Sequence, residues 1–117
     1  MSKEPILTVN FFRTDSGNEP VRDWLKNRER EERKLIGEDI LLVQFRWPLG
    51  LPLVRKMESD LWEVRSKLAS CNISRVFFTT NNGEMILLHA IIKKSQKTPK
   101  KDIDLARSRK NQWLKEV

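Results

Sequence analysis

The chain has 117 residues, 38% hydrophobic and 33% charged, with 23 Lys and Arg against 16 Asp and Glu for a net charge of +7. That length supports one domain, residues 1–117, around a single core of moderate size. The opening Met-Ser-Lys-Glu-Pro lacks the apolar stretch of a secretory signal, no apolar run is long enough to span a membrane, and the single cysteine, Cys71, excludes an internal disulfide.

Residues 6–13, rich in Ile, Val, Thr and Phe, read as a first strand ended by the turn-forming run Thr14-Asp15-Ser16-Gly17-Asn18. Helical spacing follows at Val21, Trp24 and Leu25, with Asn18 as the expected cap and Pro20 in the first turn. Residues 27–34 alternate in charge sign, as a solvated helix face does. A second helix carries Ile36, Ile40, Val43 and Trp47 along one stripe and is stopped by Pro48, Gly50 and Pro52. Strands are then expected over 53–57, 61–68, 73–80 and 85–94. Asn82-Gly83 between the last two is a strong hairpin signal.

A two-residue turn there sets Arg75 opposite Ala90 and Val76 opposite His89. Arg75 then shares a face with Ala90, Ile92 and Lys94, and a slip of one residue reverses the assignment. On the strand over 61–68, Glu63, Arg65 and Lys67 share one face and Trp62, Val64 and Leu68 the other. Thr98 as a cap and Pro99 at the first helical position open a last helix, with Ile103, Ala106, Trp113 and Leu114 inward. The order is that of an α+β domain: an antiparallel β-sheet of about four strands, two N-terminal helices and a C-terminal helix.

Positive charge is concentrated in the second half. Residues 1–64 hold 11 Lys and Arg against 12 Asp and Glu, whereas residues 65–117 hold 12 against 4. Residues 93–101, Lys-Lys-Ser-Gln-Lys-Thr-Pro-Lys-Lys, deliver five of these cations directly after the apolar run 86–92. Such a cluster suits a polyanion, and RNA is the leading candidate, although charge alone would attract an acidic protein equally. No Gly-rich phosphate loop, serine triad, paired-carboxylate constellation or zinc-type Cys/His spacing occurs, so neither a metal nor another cofactor is expected.

Leu61-Trp62-Glu63-Val64-Arg65, Ser74-Arg75-Val76-Phe77-Phe78, the tract 87–101 and the segment 48–56 (Pro-Leu-Gly-Leu-Pro-Leu-Val-Arg-Lys) together resemble the HigB-like branch of the RelE/ParE toxin superfamily. These are the toxin halves of type II toxin–antitoxin pairs, often phage-derived. The resemblance runs from about Val9 to Leu114. It implies a RelE-like fold with helices on one side of the sheet and a basic concave surface opposite. It also implies a ribosome-dependent mRNA endoribonuclease that enters the A site against ribosomal RNA, and a cognate helix-turn-helix (HigA-like) antitoxin. The cytoplasm is expected separately, from the lone cysteine, which suits a reducing compartment.

RNA cleavage without a metal needs few parts. A 2′-hydroxyl loses its proton and attacks in line, cations meet the charge that develops on the phosphorane, and the leaving 5′-oxygen is protonated. Arg supplies a permanent forked donor, while Lys crowded by like charges can give up a proton. The resemblance carries Arg75 to the scissile phosphate, Arg65 to a phosphate or transition-state contact, and Lys94 to leaving-group protonation or charge stabilisation. Lys67, Lys93, Lys97 and Lys100 are the RNA-binding candidates, with Lys101 adding to the field. His89, the single histidine, is a candidate general base, although its place between Leu88 and Ala90 also fits a packed side chain. Some relatives use a tyrosine near the site, and this chain has none. Two other readings fit the charge: a ParE-like inhibitor of DNA gyrase, and a noncatalytic nucleic-acid or protein-binding module. The trio Arg65, Arg75 and Lys94 favours the nuclease, because gyrase inhibition has no need of it.

Overall fold

Alternating and helical apolar patterns succeed one another along the chain. The computed structural model, which describes residues 4–116, turns them into β1 (Thr8–Phe11), α1 (Pro20–Lys26), α2 (Arg30–Arg46), β2 (Val54–Glu58), β3 (Leu61–Lys67), β4 (Ile73–Asn81), β5 (Glu84–Lys93) and α3 (Lys100–Glu116). Met1, Ser2 and Lys3, within the segment read above for a secretory signal, lie outside the described residues, as does Val117. Among the described residues no helix is long and apolar enough to cross a membrane.

The α+β architecture is as expected, and all five segments read as strands join one sheet, which was expected to hold about four. The sheet has five strands in the order β1-β5-β4-β3-β2. β2 to β5 form an antiparallel meander, while β1 lies parallel to β5 at the edge, Thr8 beside Glu84 and Phe11 beside Leu87. The parallel pairing makes the sheet mixed rather than antiparallel. It follows from the long excursion through α1, α2 and the meander that separates the two strands.

Two caps differ from expectation. Glu19, not Asn18, is the residue before α1, while the Asn18 amide donates to the Ser16 hydroxyl at 3.2 Å. Ahead of α3, the Pro99 carbonyl accepts from the Asp102 and Ile103 amides, and the Thr98 hydroxyl donates instead to Glu63 Oε2 at 3.0 Å. The stripe Ile36, Ile40 and Val43 of α2 is buried, and Trp47 stands edge-on to Trp62 with ring centroids 4.9 Å apart. On α3, Ala106 is buried and Ile103 and Trp113 pack inward, whereas Leu114 is exposed.

The hairpin turn forms where expected, with Asn82 and Gly83 both at positive φ, 50° and 78°. Pairing runs true from Asn81↔Glu84 to Phe78↔Leu87 and then shifts, so that Phe77 faces His89 and Arg75 faces Ile91. Leu88 is the extra residue of a β-bulge. Beyond it Arg75 shares its face with His89, Ile91 and Lys93, which reverses the expected assignment. Two contacts from α3 hold the irregularity. Arg109 Nη1 donates to the Leu88 carbonyl at 2.9 Å, and His89 Nε2 meets Asp102 Oδ1 at 2.8 Å.

Helices cover both faces, in contrast to the one-sided packing that the resemblance implied. α1 and α2 lie on the face of Val64, Val76, Phe78 and Leu87, and α3 covers Leu61, Phe77 and Leu88 on the other. α3 also grips the β2–β3 turn. Arg107 makes a forked pair with Glu58 at 2.6 and 2.7 Å, and Lys110 Nζ donates to the Ser59 carbonyl at 3.0 Å.

The hydrogen bond from Arg107 holds the Glu58 carboxyl below its ordinary value of 4.5, with burial opposing it. A carboxylate whose folded value is depressed stabilises the fold above its unfolded value, and that contribution disappears as pH falls through the folded one. Glu58→Gln is therefore expected to lower stability at neutral pH, with its gap to wild type closing below about pH 4.5. Chemical denaturation of both proteins from pH 7 to pH 3 measures this. A gap that stays constant with pH would mean that the pair does not titrate with folding.

Candidate active site

Strand alternation brings Glu63, Arg65 and Lys67 to one face of β3, and the β3–β4 register sets Arg65 directly opposite Arg75. Two like charges side by side repel, and the buried Glu63 carboxylate compensates for both. Its Oε1 accepts from Arg65 Nη1 at 2.7 Å, and its Oε2 lies 4.0 Å from Arg75 Nε and accepts from Thr98. The side chains of Glu63 and Arg75 are 0% exposed, while Arg65 keeps 12% of its side chain in solvent.

The segment between β5 and α3 crosses this face. Arg75 Nη1 donates to the Lys93 carbonyl at 3.4 Å and its Nη2 to the Ser95 carbonyl. One step further across, Arg65 Nη2 donates to Gln96 Oε1 at 3.0 Å, and Thr98 then reaches Glu63. The chain thus passes from β5 over β4 to β3, fastened at each strand. Its carbonyls take up the buried arginine and its lysine ammonium groups face outward. Lys93, Lys94 and Lys97 are exposed, and among the described residues none of them is ion-paired.

Burial pushes the Arg75 guanidinium below its ordinary pKa, neighbouring Arg65 adds to that, and Glu63 offsets part of it. An arginine stays protonated through such a shift. Arg75 therefore remains a cation, with no surface open to a ligand. A direct phosphate contact by Arg75 would require the segment around Ser95 to move aside.

The other sequence candidates fall into two groups. Lys67 stands beside Arg65 on the rim of a groove of about 850 Å³ at the open end of the sheet, which Arg55, Asp39, Leu53 and Ile73 also line. Lys100 and Lys101 are exposed at the start of α3, Lys100 pairing with Asp104 at 3.3 Å. His89 lies under α3, stacked on Phe77 with centroids 5.6 Å apart and bonded to Asp102, with 16% of its side chain exposed. That is the packed arrangement, apart from the arginine cluster. Among the described residues no group of His, Cys, Asp or Glu is gathered to hold a metal ion.

The sequence offered Glu63 as a partner for Arg65 or Lys67; the structure pairs it with Arg65, and nothing in the sequence showed that it serves Arg75 as well. Gln96 and Asp39 gave no signal, Thr98 was read only as a helix cap and Arg55 only as part of the segment 48–56, since each joins the site through contacts distant in sequence. The assembled site offers a fixed guanidinium at the mouth of a groove and a row of free ammonium groups beside it. Such an arrangement can bind a phosphodiester chain and stabilise charge developing on one of its phosphates.

A family model described as Phage derived protein Gp49-like (DUF891) matches residues 23–111. The match takes in both arginines, the crossing segment and most of α3. No curated protein matches the chain.

Proposed function

The chain belongs to the phage-derived Gp49-like family, a family of RelE-like toxins, and we propose from that premise that it is a HigB-like endoribonuclease cutting mRNA in the ribosomal A site. Such a toxin has an antitoxin partner, here proposed to be a helix-turn-helix protein, and its work on the ribosome places it in the cytoplasm. The observation that carries the reading is Arg65, held by Glu63 and Gln96 at the edge of a basic groove with free lysines alongside.

In this mechanism the 2′-hydroxyl gives its proton to solvent water as its oxygen attacks the adjacent phosphorus, the bond to the 5′-oxygen breaks, and a 2′,3′-cyclic phosphate remains on the upstream fragment. Arg65 meets the negative charge that builds on the non-bridging oxygens. Lys94, the first residue after β5, donates a proton to the departing 5′-oxygen. Lys67, Lys93 and Lys97 hold the flanking phosphates, and Lys100 adds to the field. Arg75 acts from beneath as a positioning residue, because it fixes the backbone that presents Lys93 and Lys94.

Mapping mRNA 5′ ends in bacteria after a brief pulse of the protein tests this. New ends in frame within translated codons are expected, reduced roughly tenfold or more by Lys94→Ala. Growth arrest without new ends would overturn the nuclease and leave gyrase inhibition as the activity. Neither arrest nor ends would leave a binding module.

A further inference from the structure

The groove beside Arg65 has features that a phosphate clamp does not need. Its walls are largely apolar, from Leu35 of α2, Leu51, Leu53 and Ile73. A lone carboxylate, Asp39 of α2, stands among the cations Arg55, Arg65 and Lys67. Among the described residues Asp39 forms no ion pair with them. The buried Ser66 hydroxyl donates to its Oδ2 at 2.6 Å, which fixes the side chain and leaves Oδ1 free to accept. A negative charge in a site for a polyanion weakens phosphate binding. It becomes favourable where the ligand brings an uncharged portion carrying N–H donors.

We propose that this groove holds an unpaired nucleobase of the RNA, with Asp39 selecting bases that present an amino group. The inference rests on the RNA-cleaving reading above and names the part of the substrate next to the cut. A carboxylate only accepts hydrogen bonds. Adenine and cytosine offer exocyclic amines, and guanine offers an amine beside a ring N–H. Uracil offers a single ring N–H between two carbonyl oxygens, both of which the carboxylate repels. The base face rests on Leu51, Leu53 and Ile73, with the Arg65 guanidinium plane for stacking, so the absence of tyrosine is no obstacle. Arg55 and Lys67 on the rim take the phosphates on either side. An acidic amphipathic helix fits less well, because its own carboxylates would meet Asp39.

The test is a methyl NMR titration of the full chain with single-stranded hexamers of cytidine, adenosine or uridine, repeated with Asp39→Asn. The asparagine keeps an acceptor for Ser66 and adds a donor that uracil's carbonyl oxygens welcome. Cytidine and adenosine hexamers are expected to shift the Leu51, Leu53 and Ile73 methyls at concentrations roughly fivefold or more below uridine, and Asp39→Asn to erase most of that ratio. Equal midpoints in wild type, shifts confined to other methyls, or no response at millimolar RNA would each overturn the proposal. So would displacement of the same methyls by a Glu/Leu helical peptide and by no RNA, which would make the groove a protein-docking surface. Failure of the nuclease reading is seen separately. Base discrimination without new 5′ ends in cells sinks the nuclease and keeps the groove, and new ends without a methyl response do the reverse.

Discussion

Arg65→Ala is expected to lower the rate of mRNA cleavage on the ribosome by roughly 10²- to 10³-fold while the protein stays folded. The magnitude is that of removing one preorganised donor aimed at transition-state charge. Two observations make Arg65 the residue for which it applies. Its guanidinium is anchored on one side by Glu63 and Gln96, so little reorganisation is needed when charge develops. It also keeps part of its surface open to the groove, which the buried Arg75 does not. Loss of Arg65 leaves Glu63 with Arg75 and Thr98, so the carboxylate is not stranded.

Arg65→Lys is expected to fall between wild type and alanine. It restores a charge but cannot span Glu63, Gln96 and a phosphate at once. Single-turnover cleavage at rising toxin concentration distinguishes chemistry from binding. A lowered plateau at unchanged half-saturation places Arg65 in the transition state. An unchanged plateau reached only at higher concentration would reduce it to an RNA-binding residue, and Lys94 would then be the leading source of catalysis.

Much of this site was legible in the chain, and the limits of that legibility are physical. Asn82-Gly83 announces its turn because few dipeptides accept two positive φ values, and the shared face of Glu63, Arg65 and Lys67 follows from strand alternation alone. The reversed face of Arg75 was hidden, because the bulge at Leu88 is held by Arg109, 21 residues further on. Hidden for the same reason was the burial of Arg75. An arginine in a strand reads as exposed until a later segment supplies carbonyls to receive it. The lysine-rich tract drew attention for its charge. Its backbone oxygens, which composition cannot display, turn out to fasten it to the sheet.

That fastening gives the second large effect. Glu63→Gln is expected to destabilise the fold by about 3 kcal/mol, since removing one partner of a buried ion pair leaves the other charge uncompensated. The low end of the usual range applies, because Arg75 retains the carbonyls of Lys93 and Ser95 as acceptors. A small domain has only about 5–15 kcal/mol in hand, so the loss would be plain in urea denaturation. Arg75→Met, which removes the cation but keeps much of its volume, should cost a comparable amount.

The informative protein is the double variant. With both charges gone, neither is left stranded, so Glu63→Gln with Arg75→Met should cost less than the sum of the two single changes by ~1 kcal/mol or more. Strict additivity would show that 4.0 Å between Arg75 Nε and Glu63 carries no coupling, and Glu63 would then serve Arg65 alone. The double variant should still lose cleavage even where its stability recovers. The crossing segment would no longer be drawn onto β4 by a guanidinium, and the backbone that presents Lys93 and Lys94 would lose its anchor. Recovery of both stability and cleavage would instead mean that Arg65 and the free lysines suffice without the buried arginine.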